Sequence, residues 1–403
     1  MSALKYDAII VGAGPSGLIA AHRIAGNGHR VLVLEEHSQV GIPDHCAGLV
    51  SSSGIKKLGL VPPADVIQNT VEAARIYSPS GHSLLVERGK REALVIDRRR
   101  FDAWLASRAL EVGAELKTSC KVKSAKKLEG GEYSVDYTCN NSVEEAVARV
   151  VLNAEGSRGV ISRSLGLPSI PRSSKYPAFQ YEVSGINIDK NIVEMFYGRN
   201  ISNGFFAWII PLSNKSARVG IASKDRTKQR LQSCVKTHPV MRKRLRGMTI
   251  DRSLGGVVLI GSPQKKTAEG GAVNLGDAAG FVKATTGGGI ILGGASANIA
   301  GTRIARELSQ RKGGIDLSFL DGLWKKSLRR ELWIMYITQK MLMSFSDKGL
   351  DELVKGAARM GILDIIRKEG DMDLQRRVIL KLLRSPEMFL VGLRAMRYWS
   401  PIF

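Results

Sequence analysis

Tyr6-Asp-Ala-Ile-Ile-Val-Gly-Ala-Gly-Pro-Ser-Gly17 is the stretch that decides the fold of this chain. Its apolar run from Ala8 to Val11 is typical of a buried parallel strand, and Gly12, Gly14 and Gly17 follow at G-x-G-x-x-G spacing. In this motif the first glycine makes a tight turn, the second lets a pyrophosphate approach the backbone, and the third lets the next helix pack on the strand. Pro15 and Ser16 begin that helix, whose N-terminus favours negative charge.

A helix and a second strand complete a βαβ unit. Apolar residues continue at helical spacing to Ala25, Gly28 ends the helix, and Val31 to Leu34 form the strand. Glu35, with Glu36 beside it, closes that strand where the dinucleotide motif places an acid. A carboxylate there accepts hydrogen bonds from ribose hydroxyls and repels a 2′-phosphate. The pattern favours FAD or NAD over NADP, and a glycine-rich turn of another α/β protein would not explain all of these features together.

Two later stretches predict further backbone approaches to the nucleotide. Residues 152–167 indicate a strand, a glycine turn and a short helix. Residues 270–280 return to a buried strand, and the glycines at 287–289 precede a helix that runs to about Arg311, where they could meet a flavin pyrimidine or a phosphate. Asp277 either holds ribitol or ribose hydroxyls or caps a helix. The candidate contacts in these stretches are Glu155, Gly156, Asp277, Gly280, Gly288, Gly289 and Ile290.

The composition indicates a basic, globular, multidomain protein. The 403 residues are 44% hydrophobic, and no low-complexity tract or repeat is visible. The net charge of +23 implies an anionic partner, either a phospholipid surface, a phosphorylated substrate or nucleic acid. A generally basic surface explains the charge equally well.

The cysteines and the hydropathy indicate the cellular compartment of the protein. Cys46, Cys120, Cys139 and Cys234 are scattered without C-x-x-C or metal-binding spacing, so we expect neither a disulfide framework nor a metal site. The N-terminus enters the first strand directly, which leaves no room for a signal peptide. No run of about 18 apolar residues predicts a membrane span. We therefore expect a cytoplasmic protein, with peripheral contact at the inner face of the cell membrane as a hypothesis.

The pattern changes along the chain, which predicts three parts. An antiparallel sheet is indicated by runs at 178–183, 193–197, 205–210 and 217–221, a basic helical segment is expected at 224–252, and the chain past Leu317 reads as helical. Inward positions of the last helices are expected at Trp324, Leu328, Leu332, Met335 and Met343. The predicted fold class is α/β, with a Rossmann-like FAD-binding domain (1–60, 90–167 and 259–312), an antiparallel-sheet substrate domain (61–89 and 168–258) and a C-terminal helical domain (313–403).

The last 29 residues, from Gln375 to Phe403, are basic and aromatic. They contain six Lys or Arg residues and one acid, Glu387, together with apolar residues at Phe389, Leu390, Leu393, Met396, Tyr398, Trp399 and Phe403. This stretch is typical of an amphipathic helix at an anionic lipid surface. The alternative is a terminal helix that packs on its own domain.

Taken together, the three nucleotide stretches resemble FAD-dependent hydroxylase-like flavoproteins, and two further stretches resemble the geranylgeranyl reductase family. Asn203-Gly-Phe-Phe-Ala-Trp-Ile-Ile-Pro211 is similar to the substrate-cavity motif P-x-x-Y-x-W-x-F-P of that family, with Trp208 and Pro211 matching and Asn203, Phe206 and Ile210 departing from it. Phe206 keeps the apolar character but lacks the hydroxyl of the family's tyrosine. Phe206, Trp208 and Pro211 are therefore the candidate substrate contacts, unless they are ordinary sheet core.

Asp44-His-Cys-Ala-Gly-Leu-Val-Ser51 resembles the cysteine-containing loop of the same family. The resemblance implies that Cys46 and Ala47 lie against the cofactor. A helix is expected to begin at about Arg98, with apolar positions at Phe101, Leu105 and Leu110. Arg100 and Asp102 resemble the family's Arg and Asp at the start of this helix, and the resemblance implies that Arg100 contacts FAD.

The resemblance implies an FAD-dependent reductase that saturates C=C bonds of geranylgeranyl chains, on archaeal-type membrane ether-lipid precursors or on a diphosphate. An isolated alkene has no carbonyl to polarise it, so a hydride from reduced flavin N5 and a proton are both needed. Cys46 and His45 are the nearest candidate proton donors by sequence. A thiol also fills apolar pockets, so Cys46 has a chemical role, lines the cavity or does neither.

The sequence leaves two other functions open. The first is an FAD-dependent monooxygenase that hydroxylates an apolar substrate, because one flavoprotein scaffold supports several reactions. The second is a nucleic-acid-binding or membrane-scaffold protein with a vestigial nucleotide fold, which the retained motifs oppose, so we expect no nucleic-acid partner. The sequence has no second dinucleotide fingerprint. The resemblance implies an isoprenoid lipid substrate, and we expect an external electron donor.

Overall fold

A computed structural model describes residues 4–311, 313–359 and 362–399, so residue 312 and the predicted interfacial residue Phe403 lie outside the described residues. The strands are β1 Leu4–Val11, β2 Val31–Leu34, β3 Leu49–Ser51, β4 Ile67–Val71, β5 Ala73–Tyr77, β6 Ser83–Glu87, β7 Ala93–Ile96, β8 Glu115–Lys117, β9 Cys120–Lys127, β10 Tyr133–Cys139, β11 Ser142–Asn153, β12 Lys175–Ser184, β13 Ile192–Tyr197, β14 Phe206–Pro211, β15 Ser216–Ala222, β16 Thr249–Leu259, β17 Ala268–Glu269 and β18 Ala272–Asn274. The helices are α1 Pro15–Ala25, α2 Ser52–Lys57, α3 Arg98–Glu111, α4 Val160–Ser164, α5 Thr227–Thr237, α6 Pro239–Arg244, α7 Ile290–Gln310, α8 Phe319–Trp324, α9 Arg330–Met343, α10 Asp347–Arg359, α11 Ile362–Glu369, α12 Arg376–Leu383 and α13 Pro386–Met396.

The first sheet is the nucleotide-binding sheet that the glycine motif predicts. Its strand order is β17-β18-β11-β1-β2-β8, and β1 pairs in parallel with both β2 and β11. Helices α1, α3 and α7 pack together on one face around a shared apolar core. β9 and β10 extend β11 as antiparallel strands, over the other core of this sheet. A Rossmann-like α/β fold is therefore confirmed.

The second sheet has the order β16-β12-β15-β14-β13-β5-β6 and is antiparallel except where β13 pairs with β5. The four alternating runs that the sequence indicated lie in β12, β13, β14 and β15. The expected helical segment at 224–252 is wrong at its C-terminal end, because the helices end at Arg244 and β16 begins at Thr249. In β16 the exposure of the side chains alternates from one residue to the next. A period of two is typical of a β-strand and not of a helix.

The C-terminal helices pack on both sheets. Of the predicted inward positions, Trp324, Leu328, Leu332 and Met335 are buried and Met343 is half-buried. In α3 the predicted inward residue Leu110 is instead exposed, because it lies on the outer side of the last turn. The carboxylate of Asp351 in α10 accepts hydrogen bonds from both hydroxyls of Ser78 and Ser80, which fixes α10 against the turn between β5 and β6. Within the described residues no helix combines the length and apolarity that crossing a bilayer requires.

One pair of cysteines forms a disulfide, which the sequence analysis did not predict. Cys120 and Cys139 are directly opposite each other in β9 and β10, and the structure joins them in a disulfide. Their scattered positions in the sequence hid this pairing, because the hairpin alone brings them together. Cys46 and Cys234 are free thiols, the first half-buried and the second buried.

Close packing of α1 and α7 generates a test of this fold. A Cβ on Gly301 of α7 would lie 2.8 Å from the Cβ of Arg23 and 3.1 Å from the carbonyl oxygen of Ala20, whereas a Cβ on Gly322 of α8 meets no atom within 4 Å. We expect Gly301→Ala to lower the free energy of unfolding by about 1–3 kcal/mol, as overpacking does. Gly322→Ala should leave it unchanged or raise it by up to about 1 kcal/mol. Equal denaturant midpoints for the two variants would contradict this packing.

Candidate functional site

The glycine turn at the end of β1 leaves space at one position only. Gly12 has φ +98°, and a Cβ there would lie 2.5 Å from the carbonyl oxygen of Ala154. A Cβ on Gly17 would collide with the carbonyl oxygen of Gly12, while a Cβ on Gly14 would meet no atom within 4 Å. The opening at Gly14 therefore lies where the motif requires a pyrophosphate to approach the backbone.

The first turn of α1 faces this opening with free donors. Gly14 is the N-cap and supplies no side-chain acceptor, and Pro15, at the first helical position, has no N–H. The N–H groups of the first turn have no partner within the helix. Ser16 fills the space beside Gly276 and Gly293, where a Cβ at either glycine would touch its hydroxyl. These features fit a phosphate group at the helix N-terminus.

The two acids at the end of β2 have different environments. Glu35 is buried, and its carboxylate accepts hydrogen bonds from the Ala13 N–H at 2.8 Å and from the His37 N–H at 3.0 Å. Glu36 is half-buried and is paired with Arg158, with Lys121 at 4.0 Å. Glu35 therefore fixes the end of β2 to the glycine turn, and ribose recognition by Glu35 and Glu36 stays a prediction.

Asp277 lies after β18 with an unpaired carboxylate. Burial raises its pKa, against the opposing charge of Arg98, and its side chain has no hydrogen-bond donor among the residues that the structure describes. A Cβ on Gly289, the N-cap of α7, would lie 2.6 Å from Asp277 Oδ1. The carboxylate makes no helix-capping bond, which leaves it able to accept hydrogen bonds from the ribitol hydroxyls of a flavin.

The glycine loop before α7 holds Gly288 and Gly289 at the N-terminus of that helix, near Asp277, whereas a Cβ on Gly280 would face Ile170 and Gln264. Gly280 has φ +74°, and Ile290 is the first residue of α7 and is half-buried. A Cβ on Gly288 would lie 2.9 Å from Cε of Lys283. The ammonium of Lys283 is buried and pairs with Asp373 at 2.8 Å, in the loop between α11 and α12. This ion pair, which sequence reasoning missed, fixes the glycine loop to the C-terminal helices.

Arg98, not Arg100, is the half-buried arginine at the start of α3, and FAD binding by Arg100 stays a prediction. The Arg98 guanidinium donates to both oxygens of Asp102, at 3.0 and 2.7 Å, and it interacts electrostatically with the Cys46 side chain. Arg100 is exposed and bonds the carbonyl oxygen of Asp65 at 3.1 Å. Residues at i and i+4 share a helix face, so the spacing of Arg98 and Asp102 could have indicated this choice.

The Cys46 loop holds its thiol towards the interior. The Cys46 N–H donates to Asp44 Oδ1 at 3.2 Å, and the Gly48 N–H points at Cys46 Sγ at 3.3 Å. Ala47 is half-buried and its carbonyl oxygen accepts a hydrogen bond from Arg218. His45 is exposed, with its carbonyl against Gly256 of β16. The structure thus brings Cys46, but not His45, together with Arg98.

Glu155 and Gly156 lie at the start of α4. The Glu155 carboxylate accepts hydrogen bonds from the N–H groups of Val160, Ile161 and Ser162 at 2.8, 3.1 and 2.8 Å. Gly156 has φ +70°, and a Cβ there would meet no atom within 4 Å. Glu155 therefore caps the helix, and Gly156 leaves space for an approaching ligand.

Two of the three candidate substrate contacts, Phe206 and Trp208, lie on one face of the second sheet, whereas the alternation of β14 puts Pro211 on the opposite face. Phe206 and Trp208 of β14 are buried, with ring centroids 6.1 Å apart, and belong to an apolar cluster that includes Ala47 of the Cys46 loop and Ala284 of the glycine loop. Ala207 and Ile209 point to the opposite core. The alternation of β14 therefore directs Phe206 and Trp208 towards the candidate cofactor site. Pro211 ends the strand, and its carbonyl accepts a hydrogen bond from Asn69.

A tyrosine that the sequence analysis missed lies beside Phe206. Tyr197 is directly opposite Phe206 in the pairing of β13 and β14, and the ring centroids are 5.0 Å apart. Burial raises the pKa of the Tyr197 phenol, so the side chain is neutral at physiological pH. Tyr197 therefore adds a neutral phenol to the apolar cluster that contains Phe206. Only the register of two strands reveals this.

Comparisons with known proteins agree with this geometry. Residues 10–43 match the family model of the NAD(P)-binding Rossmann-like domain. Digeranylgeranylglycerophospholipid reductase 2 of Methanothermobacter thermautotrophicus is 30% identical over 358 residues, which are 87% of this chain and 91% of that protein. Among solved structures, a geranylgeranyl bacteriochlorophyll reductase-like protein of Thermoplasma acidophilum has a TM-score of 0.86 at 23% identity, covering 98% of this chain and 100% of that chain.

A more distant likeness is limited to the fold. A variant of the halogenase PltM in complex with FAD has a TM-score of 0.67 at 16% identity, over 97% of this chain and 90% of that chain. The match over nearly the full length of the Methanothermobacter protein is much stronger evidence. This chain belongs to the digeranylgeranylglycerophospholipid reductase family.

Proposed function

We propose that this protein is an FAD-dependent reductase that saturates C=C bonds of geranylgeranyl chains, on membrane ether-lipid precursors of the archaeal type. The observation that carries the proposal is one apolar cluster. In it, Phe206 and Trp208, which we call the apolar wall, pack with Ala47 of the Cys46 loop and Ala284 of the glycine loop. Apolar area is what binds a long isoprenoid chain.

The residues fit FAD. The opening at Gly14 would accommodate the pyrophosphate, the carboxylate of Asp277 would accept from ribitol hydroxyls, and the N-terminus of α7, which has no side-chain cap, would offer N–H groups to the polar edge of the ring. When bound and reduced, FAD would supply the hydride, and an external electron donor would be needed to reduce the flavin again. Arg98 provides a buried positive charge beside the site.

The chain's own residues would deliver the proton and exclude water. We assign Cys46 as the proton donor, because its side chain is half-buried and the next residue, Ala47, packs on the apolar cluster, whereas His45 is exposed. The proton goes to the alkene carbon next to the one that receives the hydride, and it is replaced from solvent. Phe206 and Trp208 keep water from this position and hold the isoprenoid chain.

The direct test of the proposed function is an anaerobic reaction. The purified protein with FAD is reduced with dithionite and mixed with a digeranylgeranyl glycerophospholipid. We expect flavin reoxidation and a product heavier by about two mass units for each saturated bond, as addition of a hydride and a proton requires. Reduced flavin that persists beside unaltered lipid would contradict the proposal, and an oxygen-dependent hydroxylated product would identify a monooxygenase.

Two cysteine variants separate the role of the thiol in that reaction. Cys46→Ser should retain FAD and lose turnover by about 10²-fold or more, the usual contribution of a positioned acid. Cys234→Ser, at a buried cysteine in the core beneath α5, is the matched control and should keep its turnover. Unchanged turnover in Cys46→Ser would remove the thiol from the mechanism.

The pair Arg98 and Arg100 tests the cofactor site. Arg98→Ala removes a buried guanidinium and leaves Asp102 buried without its partner, so we expect FAD affinity to fall by at least about tenfold. Arg100→Ala removes an exposed ion pair with Asp65 and should leave FAD affinity unchanged. The measurement is FAD titration of the apoprotein by flavin fluorescence. Loss of affinity in Arg100→Ala alone would restore the contact that the sequence predicted.

We propose that α13 and the residues after it contact an anionic membrane surface from which the lipid substrate is taken. Val391 and Ala395 point inward, whereas Phe389 and Met396 are 63% and 62% exposed. Phe389, Leu393 and Met396 follow helical spacing and form one outward apolar stripe. The exposed residues Arg394 and Arg397 lie beside it. An apolar stripe bordered by cations fits a surface of anionic lipid headgroups.

Vesicle sedimentation tests this contact. We expect binding to vesicles that contain phosphatidylglycerol, weakened by salt, and weaker binding to phosphatidylcholine vesicles. Replacing both Phe389 and Met396 by Ser should reduce binding about tenfold or more, because each buried apolar side chain contributes about 1.5–3 kcal/mol. Val143→Ser, at an 84% exposed valine of β11, is the control. Equal binding by all three proteins would contradict the contact.

A further inference from the structure

Three charged side chains form a row across the second sheet. Arg218 of β15 is directly opposite Glu182 of β12, and Glu182 is directly opposite Arg252 of β16. Arg218 Nε donates to Glu182 Oε1 at 3.0 Å, and Arg252 Nη2 donates to the same oxygen at 2.7 Å. Directly opposite residues share a face of the sheet. Burial alone would raise the pKa of Glu182, but the two guanidinium groups lower it below its ordinary value.

The row lies on the face that carries the apolar wall. Arg218 is also paired with Ile210 of β14, two positions beyond Trp208 on the same face. Its side chain is 1% exposed, so a full positive charge is buried there. A buried charge is tolerated only where partners satisfy it. The hydrogen-bond partners of Arg218 therefore identify the segments of the chain that its guanidinium holds in place.

Both ends of the row contact the Cys46 loop. Arg218 Nη1 donates to the carbonyl oxygen of Ala47 at 3.0 Å, and Arg252 Nη2 approaches Asp44 Oδ2 at 3.4 Å. The other oxygen of Asp44 accepts the N–H of Cys46. A Cβ on Gly48 would collide with Arg218 Nη1, so the loop passes directly over the guanidinium. The backbone is thus held on each side of Cys46.

Arg218 also joins this loop to the start of α3. Its Nη1 donates to the carbonyl oxygen of Ile96 at 3.1 Å, and its Nη2 donates to Gln68 Oε1 at 2.7 Å. Ile96 ends β7 just before the helix that carries Arg98. One guanidinium therefore fixes the Cys46 backbone and the strand leading to Arg98 relative to the apolar wall.

We propose that Arg218, supported by Glu182 and Arg252, is a positioning residue that holds the Cys46 thiol between Arg98 and the wall of Phe206 and Trp208. This inference rests on the proposed function, because it assigns the row a role through Cys46. Lysine at 218 keeps the charge but has a single nitrogen, which cannot serve the carbonyls of Ala47 and Ile96, Gln68 and Glu182 together. The row therefore requires arginine, which distinguishes positioning from charge alone.

The test compares Arg218→Lys with the wild-type holoenzyme. We expect iodoacetamide to alkylate Cys46 faster in the variant, as followed by peptide mass, because the loop is no longer held on the guanidinium. In the lipid reaction kcat should fall by about 10²-fold with little change in KM, as misplacement of a reacting group does. Arg329→Lys, at a half-buried arginine that pairs with Asp321 outside the site, is the matched control and should change neither quantity.

A second variant keeps the test decisive if Arg218→Lys does not fold. Arg252→Lys alters the more exposed end of the row, and it should raise the Cys46 alkylation rate in the same direction by a smaller factor. Wild-type alkylation rates in every folded variant of the row would overturn the proposal.

A double-mutant cycle separates this inference from the proposed function. In a Cys46→Ser background, Arg218→Lys should lower kcat little further, because both changes act through one group. A full additional loss of kcat would show that Arg218 does not act through the thiol. If Cys46→Ser alone keeps full turnover, the assigned role of Cys46 fails, while the alkylation rates still report whether Arg218 holds the loop.

Discussion

The close approach of backbone segments at the glycine turn is the constraint on which the rest of the structure depends. Gly12 lies against the carbonyl oxygen of Ala154, and Ser16 fills the space left by Gly276 and Gly293. Strands β1, β11 and β18 and helix α7 therefore meet at one point, although they are far apart in the sequence. A Cβ at any of these glycines would separate them, so Gly12, Gly276 and Gly293 assemble the sheet, while Gly14 leaves the space for a pyrophosphate.

The second sheet uses its two faces differently. Ala207 and Ile209 of β14 pack into an ordinary core beneath α5 and α6, while Phe206, Trp208 and Ile210 face the Cys46 loop. A charged row lies on that same face, where buried arginine is stable because backbone carbonyls and a carboxylate surround it. The same face of the sheet thus holds the Cys46 loop by polar contacts and provides the apolar surface for a substrate. The period of two along each strand permits this arrangement.

Local patterns predicted the parts of the molecule that depend on local order. The βαβ unit, the alternating strands and the place of Asp277 follow from spacing within short windows. To distinguish Arg98 from Arg100, one must know which residues share a helix face with Asp102. To predict the edge strand β16, one must recognise a strand alternation inside a basic segment. The pairs Lys283 with Asp373, Cys120 with Cys139 and Tyr197 with Phe206 exist only because the fold brings distant residues together. A single sequence contains no signal for such contacts.

The proposed reaction requires the geranylgeranyl chain to bind between the apolar wall and the Cys46 thiol in one site. The most direct test of this requirement is protection of Cys46 from iodoacetamide by a digeranylgeranyl glycerophospholipid added to the oxidised holoenzyme. We expect alkylation of Cys46 to slow as lipid is added, with half-protection at the lipid concentration that gives half-maximal turnover. An alkylation rate that does not change at lipid concentrations that saturate turnover would contradict this requirement, because the substrate would then bind away from the thiol.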